Sequence, residues 1–502
     1  MARSSIPWAF RSYSGRTRVA ATERCVNLYP ERNLSINAQT VDASTIVLIG
    51  APGCRPFLDV PGDDSDIVHF HSANRDLFVW TRQGVYRMDR DGRHLNRVFS
   101  GSIGVNVSAA HGVSIADSGR RQLSLWWTDG IKSYIYNLLT DQVNALSDDT
   151  SFLPPSATAF LDGYALFTRR GTDEFFWSDV LEFDEFNGLN FASAEGGPDE
   201  LQTLVPFDRE LWLIGRDNTE VFQNTGDVDL PFQRIGNAFF ETGTPNAQTV
   251  VKLHREIYMV AQDLRVYRGS SRSYRLEPIS THQGLDHDLN TYGVEGAFAF
   301  GVTMEGHDFY WLTLPSANRT WVYDLAVDEW HERSTLVDGL PHRCIEGCDN
   351  ETYGRHFATA GITHEGKSYI GGAGHVYELT LDYGRDGDAR IMREAATSPL
   401  FLGGDRVEYK SVELEFQNAC GNEDINLREP GYESVTLAWT DNQAKSWVDG
   451  DTKAMYNKAD DYRPVWSGLG SVHGRAWRWR TFSDKQVVFL RGNLIIEAAG
   501  RG

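Results

Sequence analysis

Cysteine is scarce in this sequence: 502 residues contain only Cys25, Cys54, Cys344, Cys348 and Cys420. That excludes a disulfide framework of the kind that staples small secreted domains, and it fits synthesis in a reducing cytoplasm. No apolar run reaches the length of about 18 residues that a membrane span needs. The opening MARSSIPWAFRSYSGRTR has no apolar core, so it is not expected to act as a secretory signal. Positive charge is also short, with 48 Lys and Arg against 69 Asp and Glu and a net charge of −21. Such a surface repels phosphate over most of its area, which argues against a general nucleic-acid coat. Helical periodicity is nearly missing; DVLEFDEFNG, from Asp179, is the best short turn of helix. No G-x-S-x-G, H-E-x-x-H or catalytic-cysteine signature occurs.

What is abundant points to strands and turns. Aromatics make up 12% of the chain and there are 47 glycines, a composition that suits pleated sheets joined by tight turns. Two-strand units recur at LFVWTRQGVYRM from Leu77, LSLWWTDGIKSYIY from Leu123, ALFTRRGTDEFFWS from Ala165 and LWLIGRDNTEVFQ from Leu211. IYMVAQDLRVYRG from Ile257, FYWLTLPSANRTWVYDL from Phe309 and YIGGAGHVYEL from Tyr369 continue the series. Their starts are separated by 46, 42, 46, 46, 52 and 60 residues. A hairpin every ~40–50 residues is the pattern of a β-propeller blade, because one blade cannot bury its own faces. The fold expected is therefore all-β: a divergent propeller of six or seven blades with an additional β domain. A pair of β-sandwiches is the alternative. Turn-rich DVPGDDSD (59–66) and DYGRDGDAR (382–390) mark the boundaries. They divide the chain into an N-terminal arm (1–60), the propeller (61–385) and a C-terminal β domain (386–502). The arm is too short to fold alone and is expected to pack with the C-terminal domain.

Four stretches resemble functional motifs. GITHEGKS (361–368) fits the phosphate-loop pattern G-x-x-x-x-G-K-[ST] letter for letter. The sequel YIGGAGHVYEL is glycine and β-formers, not the helix whose N-terminus such a loop needs, so the stretch reads as a hairpin turn with Gly366 supplying the unusual dihedral. Cys344 and Cys348, flanked by His342 and His356, have a zinc-like spacing, yet a single C-x₃-C pair in a loop reads more simply as free thiols. TDNQAKSW (440–447) resembles a degraded Asp-box hairpin, with Thr440, Asn442, Ala444, Ser446 and Trp447 at its key positions; that box is a structural turn. Asp179, Glu182, Asp184 and Glu185 are carboxylates of the kind that glycoside hydrolysis pairs across a cleft, but a solvated acidic loop is the default reading of them. No catalytic, cofactor-binding or metal-binding residue is therefore assigned, and no cofactor is expected.

RAWRWR (475–480) interleaves arginine and tryptophan. Strand periodicity places Trp477 and Trp479 on one face and Arg478 and Arg480 on the other, which reads as a buried aromatic face and an exposed basic one. The arm is basic as well, with Arg3, Arg11, Arg16, Arg18 and Arg24. Positive ends on an acidic molecule suggest a docking surface, for which Arg478, Arg480, Arg16 and Arg18 are the candidates.

The order of segments resembles the tail hub, or nozzle, of short-tailed double-stranded DNA phages, the packaged-DNA stabilisation family. CVNLYPERN (25–33) and IGAPGCRPFLDVPG (49–62) are similar to its opening motifs. The longest likeness is GTDEFFWSDVLEFDEFNGLNFASAEGGPDELQTLVPFDRELWLIGRDNTEVFQNTG (171–226). FYWLTLPSANRTWVYDLAVDEWHER (309–333), VTLAWTDNQAKSW and GRAWRWRTFSDKQVVFLRGNLIIE follow in the same order; 344–355 has no counterpart. The resemblance implies a non-enzymatic virion protein made in the host cytoplasm and built into the tail as a homo-oligomeric ring, usually a hexamer, below the portal and adaptor. Packaged double-stranded DNA passes through its lumen with weak contact, tailspikes or fibres and a needle or plug attach to it, and no membrane is involved. An acidic or neutral lumen suits sliding DNA, since a basic wall holds DNA through counterion release. The alternative function is a propeller glycosidase or glycan-binding protein, since a propeller alone fixes no function.

Overall fold

The computed structural model describes residues 2–13, 22–34, 44–89, 92–115, 119, 121–146, 152–194, 196–197, 199–280, 284–334, 359–401, 406–417, 434–442, 444–455 and 463–498. Each predicted hairpin is the middle pair of a four-stranded antiparallel unit. In blade 1 the four strands are Ile67–Ala73, Asp76–Thr81, Gly84–Met88 and Leu95–Ser100. Blades 2 to 6 repeat this order over 108–145, 155–193, 201–240, 251–278 and 298–333. Blade 7 uses 360–380 for three strands, and its fourth, Gly53–Asp59, comes from the other end of the chain and pairs antiparallel with His375–Thr380. The inner strand of blade 7 contacts that of blade 1, which closes a ring of seven. The strand that closes it lies within the segment read from sequence as the arm.

Burial explains why the ring forms. The middle strands are apolar on both faces: Asp76–Thr81 is buried throughout, and Trp80, Trp126, Trp127, Trp177 and Trp212 are all almost fully enclosed. No single blade can cover both of its faces, so each lends side chains to a seam with its neighbour. Seven such seams carry the propeller core, one between each consecutive pair of blades. Leu77 and Val79 face blade 7, and Phe78 and Trp80 face blade 2, the alternation that period 2 dictates.

The second domain is a β-sandwich. One sheet joins 28–34, 44–50, 488–498, 407–416 and 465–467, with two short strands added. The other contains Arg24–Val26, Arg393–Ala396, Gly474–Thr481, Ser434–Thr440 and Val448–Ala454. Between them lies a core that includes Trp8, Tyr409, Phe416, Trp477, Trp479 and Phe489. The second sheet does not stop at the domain edge: Val26 pairs in parallel with Glu332 of blade 6, giving one ten-stranded sheet through both domains.

One local expectation is corrected. The segment read as a helical turn, DVLEFDEFNG, forms the outer strand of blade 3, Glu182–Ser193. Phe183 and Phe186, three apart, are both buried as on a helix face, but the cause is irregular register: Ser178 faces Phe186 while Phe176 faces Phe191. The α-helix among the described residues is Gly284–Tyr292, in the connection from blade 5 to blade 6.

Candidate functional site

Two places on this scaffold concentrate polar side chains or open space: the junction where the ring closes, and the propeller axis. At the junction, Arg333 ends the outer strand of blade 6, Glu329–Arg333. Its guanidinium donates to Asp386 Oδ1 at 2.6 Å, Asn27 Oδ1 at 2.7 Å, Ser334 O at 3.0 Å and Pro52 O at 3.1 Å. Only 7% of the Arg333 side chain and 2% of Asp386 are exposed. Burial pulls the Arg333 pKa down, but the Asp386 carboxylate more than offsets this and holds it up. Asn27, in a left-handed conformation at φ 55°, turns its amide to Met392 O at 2.7 Å and Ser334 O at 2.9 Å. Cys54 Sγ lies 3.8 Å from Arg333, and burial, with Asp386 beside it, pushes the thiol pKa well up, so it stays protonated and unreactive. Arm, blade 6, blade 7 and the segment leading into the C-terminal domain therefore meet on one charged pair.

Along the axis, the seven inner strands enclose a cavity of about 1320 Å³. Its wall is mainly apolar, with Val68, Ala109, Phe160, Val205, Phe298 and Ile362 among the lining residues. Polar residues on it include Asn74, Arg121, Asp162 and Lys252, and three histidines, His69, His71 and His111. Sequence reading passed over these three; the H-x-H at 69–71 was the available signal, but His111 is brought to it only by the packing of blade 2 on blade 1.

The predicted docking arginines are placed otherwise than expected. Arg478 and Arg480 do not form an exposed basic face: their side chains are 6% and 14% exposed. Arg480 hydrogen-bonds Glu394, itself buried, and Arg478 lies 3.9 Å from the same carboxylate and over the Trp447 ring. Neighbouring Arg475 makes a two-pronged bond to Asp441 at 2.6 and 2.7 Å. Trp477 and Trp479 do face the sandwich core, both fully enclosed. The aromatic face was legible; the acidic partners of the other face lie far off in sequence, so its burial was not. Arg16 and Arg18 lie outside the described residues, as do Cys344, Cys348, His342 and His356.

The other motifs resolve as turns. Glu365 and Gly366, at φ 48° and 79°, form the two-residue turn between Ala360–His364 and Lys367–Gly371. No helix follows, so GITHEGKS has no dipole to aim at a phosphate. Lys367 pairs with Glu378 at 3.0 Å instead. In TDNQAKSW, Asn442 Oδ1 accepts from Ser446 N at 3.0 Å and Thr440 Oγ1 accepts from Ala444 N at 3.1 Å, which fixes a hairpin turn.

Fold and junction together define a class: a closed seven-bladed β-propeller welded to a β-sandwich through a shared sheet and a buried ion pair. A family model described as Bacteriophage P22 Gp10, beta-propeller matches residues 12–359. The chain belongs to this family of phage tail propellers that stabilise packaged DNA. The matched span ends just before Ala360–His364, the strand that opens blade 7. No curated protein matches the chain. Among solved structures, the WD40 domain of Neurospora crassa Pan2 is similar at a TM-score of 0.40 and 10% identity, over 66% of this chain and 94% of that one.

Proposed function

We propose that this chain is the tail hub, or nozzle, of a short-tailed phage, a ring of six copies stacked below the portal and adaptor. In this reading the double-stranded genome is retained by, and later passes through, the bore of the ring. Tailspikes or fibres and a needle or plug attach around and below it. The protein is made in the host cytoplasm, contacts no membrane and carries out no catalysis.

The axial cavity is the observation that carries the ring. A duplex is wider than its own major groove, ~12 Å across, whereas a cavity of about 1320 Å³ spread over the ~17–20 Å length of a strand is on the order of 10 Å wide, too narrow for it. A family member that stabilises packaged DNA must therefore meet the duplex outside its own propeller axis, and a bore between copies is the simplest such path. The net charge of −21 favours a bore that repels phosphate and lets DNA slide. The ten-stranded sheet supports the same reading, since a load applied to either domain passes to the other without a hinge.

Docking on the adaptor is assigned to the basic arm, with Arg16 and Arg18 as the residues to test, because the charges of Arg478 and Arg480 are engaged within the chain. The functional test is genome retention. Capsids assembled without this protein are expected to lose nuclease-protected DNA after packaging and to keep it when the protein is added back. Equal retention with and without it contradicts the proposal, and turnover of surface glycans by the purified protein contradicts the non-enzymatic reading.

A further inference from the structure

The outer edge of blade 3 differs from the other free edges of the propeller. The outer strands of blades 6 and 7 are covered, because Glu329–Arg333 pairs with Arg24–Val26 and Gly53–Asp59 pairs with Arg385–Asp386. Those of blades 1 to 5 each end a sheet, and such an edge invites another chain unless it is short, charged or polar. Among the described residues of these five strands, exposed large apolar side chains occur on Glu182–Ser193 alone, where Leu189 is 79% and Phe191 43% exposed. At 12 residues it is also the longest of the five. The turn into it is Val180–Leu181. Val180 is exposed, and Leu181 has φ 63°, left-handed backbone that turns normally give to glycine or asparagine. Leu181 N donates to Gly163 O at 2.8 Å and Leu181 O accepts from Ile115 N at 3.0 Å, so the tip is held in place. An exposed valine on a strained turn beside an apolar free edge stabilises nothing within the chain, and departures of this kind mark functional surfaces.

Charge on this edge is of one sign. Asp179, Glu182 and Glu185 are exposed, with carboxylate oxygens within 4.8 Å of one another, and Asp184 stands among them. Asp179, Glu182 and Asp184 have no cationic partner among the described residues. Blade 5, two blades further round, has the opposite charge. Arg272 lies on the turn before its outer strand, Arg275 on that strand, Arg255 on the turn after its inner strand, and Arg209 on the equivalent turn of blade 4. All four are exposed, and none pairs with a carboxylate among the described residues. Ser271 Oγ donates to Asp208 Oδ2 at 3.3 Å, which draws the two blades' turns together on one surface. The other carboxylates there are engaged: Glu210 by Tyr274 and Trp212, Glu256 by Tyr258, and Glu277 by Arg268. Leu276 and Pro278, partly and fully exposed, add apolar surface beside Arg275.

We propose that the outer edge of blade 3 docks on the basic surface of blade 5 of a second copy of this chain. Leu189 and Phe191 form the apolar centre of the contact, and Glu182 and Asp184 meet Arg272 and Arg275. This deepens the ring reading above and rests on it. The two faces are different patches, so the contact is heterologous, the type that builds rings when its rotation closes. Blades 3 and 5 are two apart in a circle of seven, so their edges point in different directions that are not opposite, as contacts to the two neighbours in a closed ring must. Charge complementarity sets the register and excludes contact between like faces, while the apolar centre supplies the area that leaves water.

The test follows self-association of the full chain by sedimentation and negative-stain microscopy, with and without purified adaptor. Wild type is expected to form closed rings, less readily as salt rises. E182R/D184R and R272E/R275E should each fail to assemble alone, with melting temperatures like wild type, since all four side chains are exposed. Mixed in equal amounts they should assemble again, because every contact between unlike variants joins opposite charges. L189S/F191S leaves the charges in place and should associate at least about tenfold more weakly. Rings formed equally well by both charge variants, or by L189S/F191S, overturn this contact and leave the ring itself standing. Charge variants that keep their fold yet fail to assemble when mixed overturn it too. Should a charge variant fail to fold, L189S/F191S decides. Wild type that forms no ring even with adaptor overturns the ring reading together with this contact.

Discussion

Arg333 Nη2 and Asp386 Oδ1 stand 2.6 Å apart in the interior, where blade 6 meets the strand that closes the ring. Removing one partner leaves the other charge buried and unpaired, which costs about 3–5 kcal/mol. D386N should therefore lower the stability of the whole chain by that order in chemical denaturation. The double variant R333M/D386L should recover much of the loss, since the cost lies in the orphaned charge more than in the missing attraction. Equal destabilisation by the single and double variants counts against this account.

Gly366 and Lys367 separate a turn from a nucleotide site. Nothing lies within 4 Å of a Cβ added at Gly366, so the cost of G366A is left-handed backbone strain, about 1–2 kcal/mol. Lys367 is 56% exposed in its pair with Glu378, so K367A should change stability by less than about 1 kcal/mol. Calorimetry with ATP should show no binding by wild type or variant.

Arg480 offers a separation of docking from folding. R480E sets a carboxylate against buried Glu394. The expected result is a lower melting temperature together with any loss of adaptor binding. R16E/R18E should weaken adaptor binding without that drop. A variant R480E that melts like wild type yet fails to bind adaptor would restore this strand as a docking face.

Acid sensitivity follows from buried histidines. His331, 3% exposed, has both ring nitrogens unpartnered, and burial lowers its pKa from 6.5 to about 4. The unfolded chain therefore binds more protons between those values, and stability falls as pH drops from about 6.5 to 4. His307 works the other way: burial lowers its pKa, but the hydrogen bond to Asp324 outweighs this and raises it, so its contribution is present at low pH and lost as pH rises past the folded pKa. H331L should flatten the fall between pH 6.5 and 4, read as the difference in denaturation midpoint. An unchanged slope contradicts the assignment.

The propeller was legible because its signal is local. Strands such as Asp76–Thr81 and Gly84–Met88 pair across a turn of two residues, so apolar alternation and turn chemistry fall within one short window. Ring closure was not legible, because Gly53–Asp59 finds its partner His375–Thr380 only after the chain has run round all seven blades. Shorter gaps, 86 and 40 residues, likewise hid Glu394 from Arg480 and His111 from His71. In Glu182–Ser193 the obstacle was different: irregular pairing gave Phe183 and Phe186 a helix-like spacing inside a strand.

Cryo-electron microscopy of the purified protein bound to its adaptor ring and double-stranded DNA tests the central claim most directly. The account predicts a closed ring of six copies, with duplex density in the bore between them and none along any propeller axis. Duplex density within a propeller, or a protein that binds adaptor without forming a ring, contradicts it.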